Sequence, residues 1–530
     1  MRWLGHALDR LDSLEAVAVE ELRSSGPSRR YTYGTVLGAA VRTGDAIVSA
    51  AGERQSDTAT IGILTGNGVE GVVGDLACLL TGVRSVPIPI AFGRDQARHL
   101  LSHSIVCLVD EQGRKRLAEW GGEAEILPEG CEIIPVTVGS GHDPEEIASR
   151  IRAAAALDES AICKIVHTSG TTSTPKGVML RRGAVDDLID SITSRIGVEA
   201  WQRYVSVVPL SLLVEQVFAV YLTFLAGGTV VFLPEEAKPL GTAGGDVEQV
   251  CGLLATARPT VSLVPPSLVE AIAARAKTTP DATTRELSLA VYGREDPMLL
   301  FSGGAPVSDE VLRVMWDRGL PVYVAYGLSE NGSVATLNGP GLVSLGTVGK
   351  PLRHCRVKRS DTGELLIRSS SLLTGYLGSD DPTALPLDSE GWLHTGDIAD
   401  IDADGYVTIT GRLKNIIITS NGRNVSPEWV EAQYKSQPSI EAAAVFGDNM
   451  EQLIGIFVVK RGADPAAALT EIRHINSEVL SEIERVGSAA LVEATEAFYT
   501  EFFTVTGRPR RKEIKDALAT GRFDLQPVER

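Results

Sequence analysis

The residues best equipped for chemistry fall in one short run: Thr168, Ser169, Gly170, Thr171, Thr172, Ser173 and Thr174, then Pro175, Lys176 and Gly177. Six hydroxyl side chains around one glycine, with a lysine after them, offer backbone N–H groups, hydroxyl donors and one cation to a polyphosphate. A polar surface turn would also be rich in Ser and Thr, but it would not need a Pro-Lys-Gly ending beside an apolar strand. A Walker loop asks for G-x-x-x-x-G-K-[ST]. Here Pro175 precedes Lys176 and Gly177 follows it, so that spacing fails.

Such a loop needs a strand before it and a scaffold around it. Short β-rich apolar runs at 60–64, 104–109, 132–138, 161–167, 204–208, 229–233, 260–264, 298–301 and 321–325 alternate with helix-length amphipathic stretches at 183–196, 214–226, 247–257, 268–276 and 308–318. Regular strand–helix alternation predicts an α/β fold with mostly parallel sheets. Near residue 400 the pattern changes. Strands at 406–410, 415–419, 442–446 and 453–459, a helix near 467–485 and a basic tail predict a small α+β domain. The expected division is 1–411 for a large domain and 412–530 for a small one, with the joint at 412–414.

Composition narrows the function classes. A chain of 530 residues is long enough for several domain-sized units. Its net charge of −18 disfavours a large nucleic-acid surface. The six cysteines are scattered without a C-x-x-C, which suits a reducing, cytoplasmic setting rather than a disulfide scaffold. The first twenty residues carry too many charges for an export signal. The best membrane candidate, 217–234, is split by Gly227 and Gly228 into a helix-like and a β-branched piece, so the expectation is a helix packed on a strand, not an integral membrane protein.

The phosphate-loop run resembles that of the adenylate-forming (AMP-binding) superfamily, and further motifs of that family follow in order. Phe301 to Pro306, with Gly303, Gly304, Ala305 and Pro306, resembles its adenine-contacting strand end. Tyr326, Gly327, Leu328, Ser329 and Glu330 resemble its aromatic-Gly-x-Thr-Glu motif. Trp392 to Asp397 resembles its ribose motif, and Gly411 to Lys414 its hinge. The resemblance implies a large ATP- and acyl-binding domain and a small mobile domain that turns about Lys414. It implies ATP-dependent activation of a small carboxylic acid to an acyl-adenylate, then transfer to coenzyme A or to the pantetheine of an acyl carrier protein. Glu330 would hold Mg²⁺, Lys176 and Ser329 would face phosphate, and Tyr326 would offer a ring to adenine. Asp397 would accept from the ribose hydroxyls and Arg412 would donate to the sugar.

The sequence departs from the family pattern at one telling place. A lysine near the C-terminus acts on the carboxylate and α-phosphate in this family, and Arg508 stands at that position, with Lys512 four residues on. Guanidinium and ammonium are not interchangeable. Arg508 doing the work, Lys512 replacing it, impaired adenylation and an idle solvated tail all remain open. So do a non-thioester product and, outside the family, an NTPase. Ser173 replaces a common loop glycine, and Leu212 stands where fatty-acyl members often carry histidine. The segment 209–226 resembles the acyl-pocket helix of medium- and long-chain acyl-CoA synthetases, which would make Leu212, Leu213, Val217 and Phe218 the acyl lining and the acid a fatty or other apolar one.

Overall fold

The computed structural model describes residues 1–530 except 11–12, 55–58, 140, 142, 168–174, 243, 380, 382–384, 422, 504–507 and 529–530. Two sheets with parallel centres form the large N-terminal part. One is ordered Gly375–Tyr376, Gly177–Arg181, Ile162–His167, Ser85–Pro87, Thr60–Leu64, Ser104–Val109, Glu132–Pro135. Its last five strands run parallel, while Gly177–Arg181 returns antiparallel directly after the phosphate-loop segment. The other sheet has nine strands, with Val322–Leu328, Leu299–Ser302, Val261–Val264, Arg203–Ser206, Thr229–Phe232 and Val17–Glu21 parallel at its centre.

Parallel strands are covered on both faces, which is why their sequences read as unbroken apolar runs. One apolar core joins both sheets through the helices Tyr33–Ala51, Val69–Thr81 and Arg182–Ile196. A second core packs Val247–Ala257, Pro266–Thr278 and Asp309–Asp317 on the other face of the nine-stranded sheet. Lys164, wholly buried on Ile162–His167, pairs with Asp75, which also accepts from Tyr221 Oη at 2.6 Å. That network ties the first sheet to the segment holding Tyr221 across an interior where unpaired charge would be costly.

The anticipated helix over 214–226 forms with a wider central turn. It is α-helical at Leu213–Glu215 and Thr223–Leu225 but a π-helix over Gln216–Leu222. After it, Gly227 takes φ +66°, and Gly228 passes so near the turn Val198–Trp201 that a Cβ would lie 2.2 Å from the Trp201 carbonyl. The run 217–234 is thus a buried helix and a strand, and no helix among the described residues is long and apolar enough to cross a membrane.

A third sheet, Cys355–Arg359, Glu364–Ser369, Leu393–Ile401 and Val407–Arg412, is wholly antiparallel. The chain leaves it through the short turn Leu413–Asn415. The C-terminal part is α+β, built on Ile440–Phe446, Leu453–Val459, Val486–Glu493 and Gln526–Pro527 with the helices Pro427–Lys435, Pro465–Glu478 and Arg511–Ala519. Two local expectations are corrected here. The strand at 415–419 shrinks to Ile417–Ile418, paired with Asn424–Val425. The helix over 467–485 ends at Glu478, and a separate short turn follows at Glu482–Glu484.

Candidate active site

Three strand ends and the inter-domain turn converge on one cleft. The strand Leu299–Ser302 runs out into Gly303, Gly304, Ala305 and Pro306. Gly304 sits at φ +81°, a conformation that favours glycine, and a Cβ on Gly303 would lie 3.0 Å from the Ala325 carbonyl of the next strand. That next strand, Val322–Leu328, carries Tyr326 and Gly327. It bulges there against Ser333–Leu337, and a Cβ on Gly327 would lie 1.6 Å from the Ser333 carbonyl. The chain then tightens into the turn Ser329–Asn331, which holds Glu330. Leu373 N–H donates to the Glu330 carbonyl at 2.9 Å and fixes the turn.

Asp397 is the hub. Tyr326 Oη donates to its Oδ2 at 2.6 Å, and Arg412 Nε lies 2.6 Å from its Oδ1. Asp397 and Arg412 face each other across neighbouring antiparallel strands, so the register itself supplies the pair. Burial pushes the Asp397 carboxyl above its ordinary range, while Arg412, Tyr326 and Arg508 pull it back. Burial and Asp397 together hold the Tyr326 phenol well above its ordinary range. The stretch before Asp397 is itself braced. Glu364 Oε1 accepts from Gly396 N–H at 2.8 Å, Glu364 Oε2 meets His394 Nδ1 at 2.8 Å, and Thr395 Oγ1 donates to the Leu365 carbonyl at 2.7 Å.

The small domain reaches into this cleft. Arg508 Nη2 donates to the Gly304 carbonyl at 2.6 Å. Arg508 keeps solvent access as a residue, yet partial desolvation of its guanidinium and the charge of Arg412 lower its proton affinity, and Asp397 and Glu428 raise it. Lys414 feels the same cations: burial first, then Arg412 and Arg508, draw its proton affinity down. Lys512 stands on a cavity wall of the small domain that Lys414 also lines. The structure therefore brings Arg508, Lys414, Arg412, Asp397, Tyr326 and Gly304 together, with Lys512 beside Lys414 rather than beside Asp397 or Gly304.

On the phosphate side, Thr168, Ser169, Gly170, Thr171, Thr172, Ser173 and Thr174 lie outside the described residues. At the end of that run, Lys176 Nζ stands 4.7 Å over the Tyr376 ring, and Tyr376 Oη donates to Glu330 Oε1 at 3.4 Å. Burial first and Glu330 second push the Tyr376 phenol up to about 12. Lys176 and Glu330 are thus bridged by one aromatic side chain. Sequence reasoning missed Tyr376 and Glu364. Each acts through a partner 30 or more positions away, and neither carries a local signature.

The acyl side differs from expectation. Val217 and Phe218 have no exposed surface, so they face no space that a water could enter. Phe218 packs edge-on to Trp201 at 5.2 Å and to Phe301 at 5.9 Å. Both are core here rather than lining, Phe218 within an aromatic layer with Trp201 and Phe301. Leu213 is buried and Leu212 half-buried. Beside them Glu215 is wholly buried, accepts from Tyr204 Oη at 2.7 Å and is pushed up to about 8 by burial.

Among the described residues no three His, Cys, Asp or Glu side chains cluster to hold a metal. Glu330 offers a carboxylate oxygen beside the phosphate-side residues. That fits Mg²⁺, which is commonly held by one or two carboxylates, substrate phosphates and waters rather than by a protein cage.

Comparison with known proteins places these features in a family. The model for the AMP-binding enzyme matches residues 12–377, and that for the AMP-binding enzyme C-terminal domain matches 414–495. The long-chain-fatty-acid–CoA ligase FadD15 of Mycobacterium bovis is 27% identical over 434 residues, 71% of this chain and 68% of the relative. The long-chain-fatty-acid–CoA ligase ACSBG1 of Mus musculus is 29% identical over 381 residues, 62% of this chain and 51% of the relative. The chain thus spans about half the length of that vertebrate relative. Among solved structures, the anthranilate CoA ligase AuaEII in complex with anthranoyl-AMP superposes with a TM-score of 0.76 at 19% identity, covering 98% of each chain. ATP-bound MatB from Rhodopseudomonas palustris gives 0.74 at 21% identity, covering 97% of this chain and 98% of that one. These last two speak for the fold. The chain belongs to the AMP-binding enzyme family, the adenylate-forming superfamily that its motifs resemble.

Proposed function

We propose that this chain is an AMP-forming acid–thiol ligase. It would join a carboxylic acid to the α-phosphate of ATP, release pyrophosphate, and pass the acyl group to a thiol such as coenzyme A or carrier-protein pantetheine. The observation that carries this reading is the contact of Arg508 with the Gly304 carbonyl. It brings a small-domain cation to the nucleotide cleft, where adenylation places negative charge on the acid and the α-phosphate. Preorganised charge at such a point is usually the largest single catalytic contribution.

The remaining residues have roles that follow from their positions. The Tyr326–Asp397–Arg412 set would bind the ribose, since each Asp397 oxygen keeps a second lone pair for a hydroxyl. The phosphate-loop run with Lys176 would hold the triphosphate. Glu330 would hold Mg²⁺, which when bound would offset triphosphate charge. Division of the chain near 411–412, with Lys414 as the hinge, would let the small domain withdraw Arg508 once the adenylate forms and expose another face for thiol transfer.

The substrate reading is an apolar, fatty-type acid. The names of the relatives support it, whereas the closed packing of Val217 and Phe218 requires the π-turn to repack before a long chain could enter. A cytoplasmic location and an acyl carrier protein partner belong to the same proposal. The test is pyrophosphate release over a panel of carboxylic acids of graded chain length. Acid-dependent release supports a ligase, acid-independent phosphate release would indicate an NTPase, and neither would favour a nucleotide-binding family member in which Arg508 does not replace lysine.

A further inference from the structure

The small domain contains a cavity of about 340 Å³ between the turn Leu413–Asn415 and the helix Arg511–Ala519. That size falls in the roughly 300–1,000 Å³ range of small-molecule sites. Its wall carries four cations, Lys414, Arg511, Lys512 and Lys515, against two carboxylates, Asp448 and Asp516. Lys515 Nζ is paired with Asp448 Oδ2 at 2.5 Å, and Arg511 Nη2 with Glu431 Oε1 at 2.6 Å. Lys512 is different: among the described residues no carboxylate lies within ion-pair distance of it. Phe446 lies on the wall with the Arg511 guanidinium 5.6 Å above its ring, so one side of the cavity is flat and polarisable.

An uncompensated lysine, further cations within the same cavity and a guanidinium–aromatic surface make a recognisable combination. Cations favour a phosphate, and the flat wall favours a planar group attached to it. Lys414 belongs to this wall and also feels the charges of Asp397 and Arg508 in the nucleotide cleft. Whatever anion enters the cavity is therefore coupled to that cleft through one side chain.

We propose that this cavity is a second anion site, separate from the phosphate-loop run at 168–177, that takes a phosphate ester of nucleotide size. Two sources share that chemistry: the nucleotide end of a thiol donor such as coenzyme A, and inorganic pyrophosphate. The phosphate chemistry stands without the ligase reading, and only the choice of source rests on it.

The test is calorimetric titration of the full chain, held at saturating AMP and fixed ionic strength, with adenosine 3′,5′-bisphosphate, pyrophosphate and adenosine in separate runs. Whether AMP itself binds reports on the nucleotide cleft independently. The bisphosphate should bind saturably, and at least tenfold more weakly to Lys512→Glu and to Lys515→Glu, with AMP affinity held within twofold. Lys277→Glu, an equal charge change on the large domain, should leave bisphosphate binding unaltered. Pyrophosphate binding with the same sensitivity, and no bisphosphate binding, would keep the site and name the inorganic anion as its source. Binding indifferent to both cavity variants, adenosine binding as tightly as the bisphosphate, or no binding by either anion overturns the proposal. Should a charge reversal fail to fold by circular dichroism, Lys512→Ala serves instead, with about a threefold loss expected and no loss overturning the site.

Discussion

The two ends of the cleft are built on opposite principles. At the proposed nucleotide end, polar groups are already bonded to one another: Tyr326 to Asp397, Asp397 to Arg412, Arg508 to Gly304. At the proposed acyl end, three of the four side chains expected to line a pocket, Leu213, Val217 and Phe218, are buried, and the Glu215 carboxyl beside them is buried and held neutral near pH 7. A ligand common to a whole family can be met by a fixed constellation, which costs no reorganisation on binding. A variable ligand is met by apolar packing, which changes with each side-chain volume.

Phe218→Ala should break this contrast most strongly. If Phe218 is core, its removal leaves a cavity and costs about 3–5 kcal/mol of stability in denaturant unfolding. If it lines an open pocket instead, stability should hardly move and the preferred acid should lengthen. Next, Arg508→Ala should slow pyrophosphate release on the order of 10²-fold, a barrier increase of about 3 kcal/mol. Thioester formation from supplied acyl-adenylate should be unchanged. A loss shared equally by both steps would remove Arg508 from its assigned place. Asp397→Asn should weaken AMP binding by about 1.5–3 kcal/mol, the scale of a hydrogen bond to a charged group, with little effect on the fold. Equal AMP affinity in calorimetry would mean that the Tyr326–Asp397–Arg412 set only braces the sheet.

A pH-dependent effect sharpens the proposed acyl side. Glu215 is raised from 4.5 to about 8 in the folded chain. Between those values the unfolded chain has released a proton that the folded one still holds. Its contribution is therefore fully present below about pH 4.5 and is lost as pH rises toward about 8. Glu215→Gln should leave the melting temperature near that of the parent at pH 5 and flatten its decline between pH 5 and 8. Parallel curves for the two proteins would show that Glu215 is not held neutral.

What could be read in advance followed the same divide. The strands Thr60–Leu64, Ser104–Val109 and Leu453–Val459 stand where their apolar runs put them, because burial on both faces leaves only a leading Thr60 or Ser104 to interrupt the pattern. Cys355–Arg359 was missed, since its sequence CRVKR carries three cations on a strand with only one buried residue. The π-turn at Gln216–Leu222 was read as ordinary helix, because i→i+5 and i→i+4 bonding differ too little to alter an apolar stretch seven residues long. The basic tail concealed the helix Arg511–Ala519, whose polar face outweighs its two buried residues, Ile514 and Ala517. Asp397 and Arg412 were named from motifs. Their bracing by Glu364 depends on strand pairing, and no single stretch of sequence records that.

The docking of the small domain has an evolutionary corollary. The acceptor for Arg508 is the main-chain oxygen of residue 304, and a peptide oxygen is present whatever side chain the residue bears. Mutational drift in the large domain can reshape the walls of the cleft without erasing this landing point, provided the backbone keeps its left-handed turn there. Only the small domain can lose the contact through a side-chain change. C-terminal segments exchanged between family members should accordingly retain it whenever the incoming segment carries a long cationic residue at the matching place.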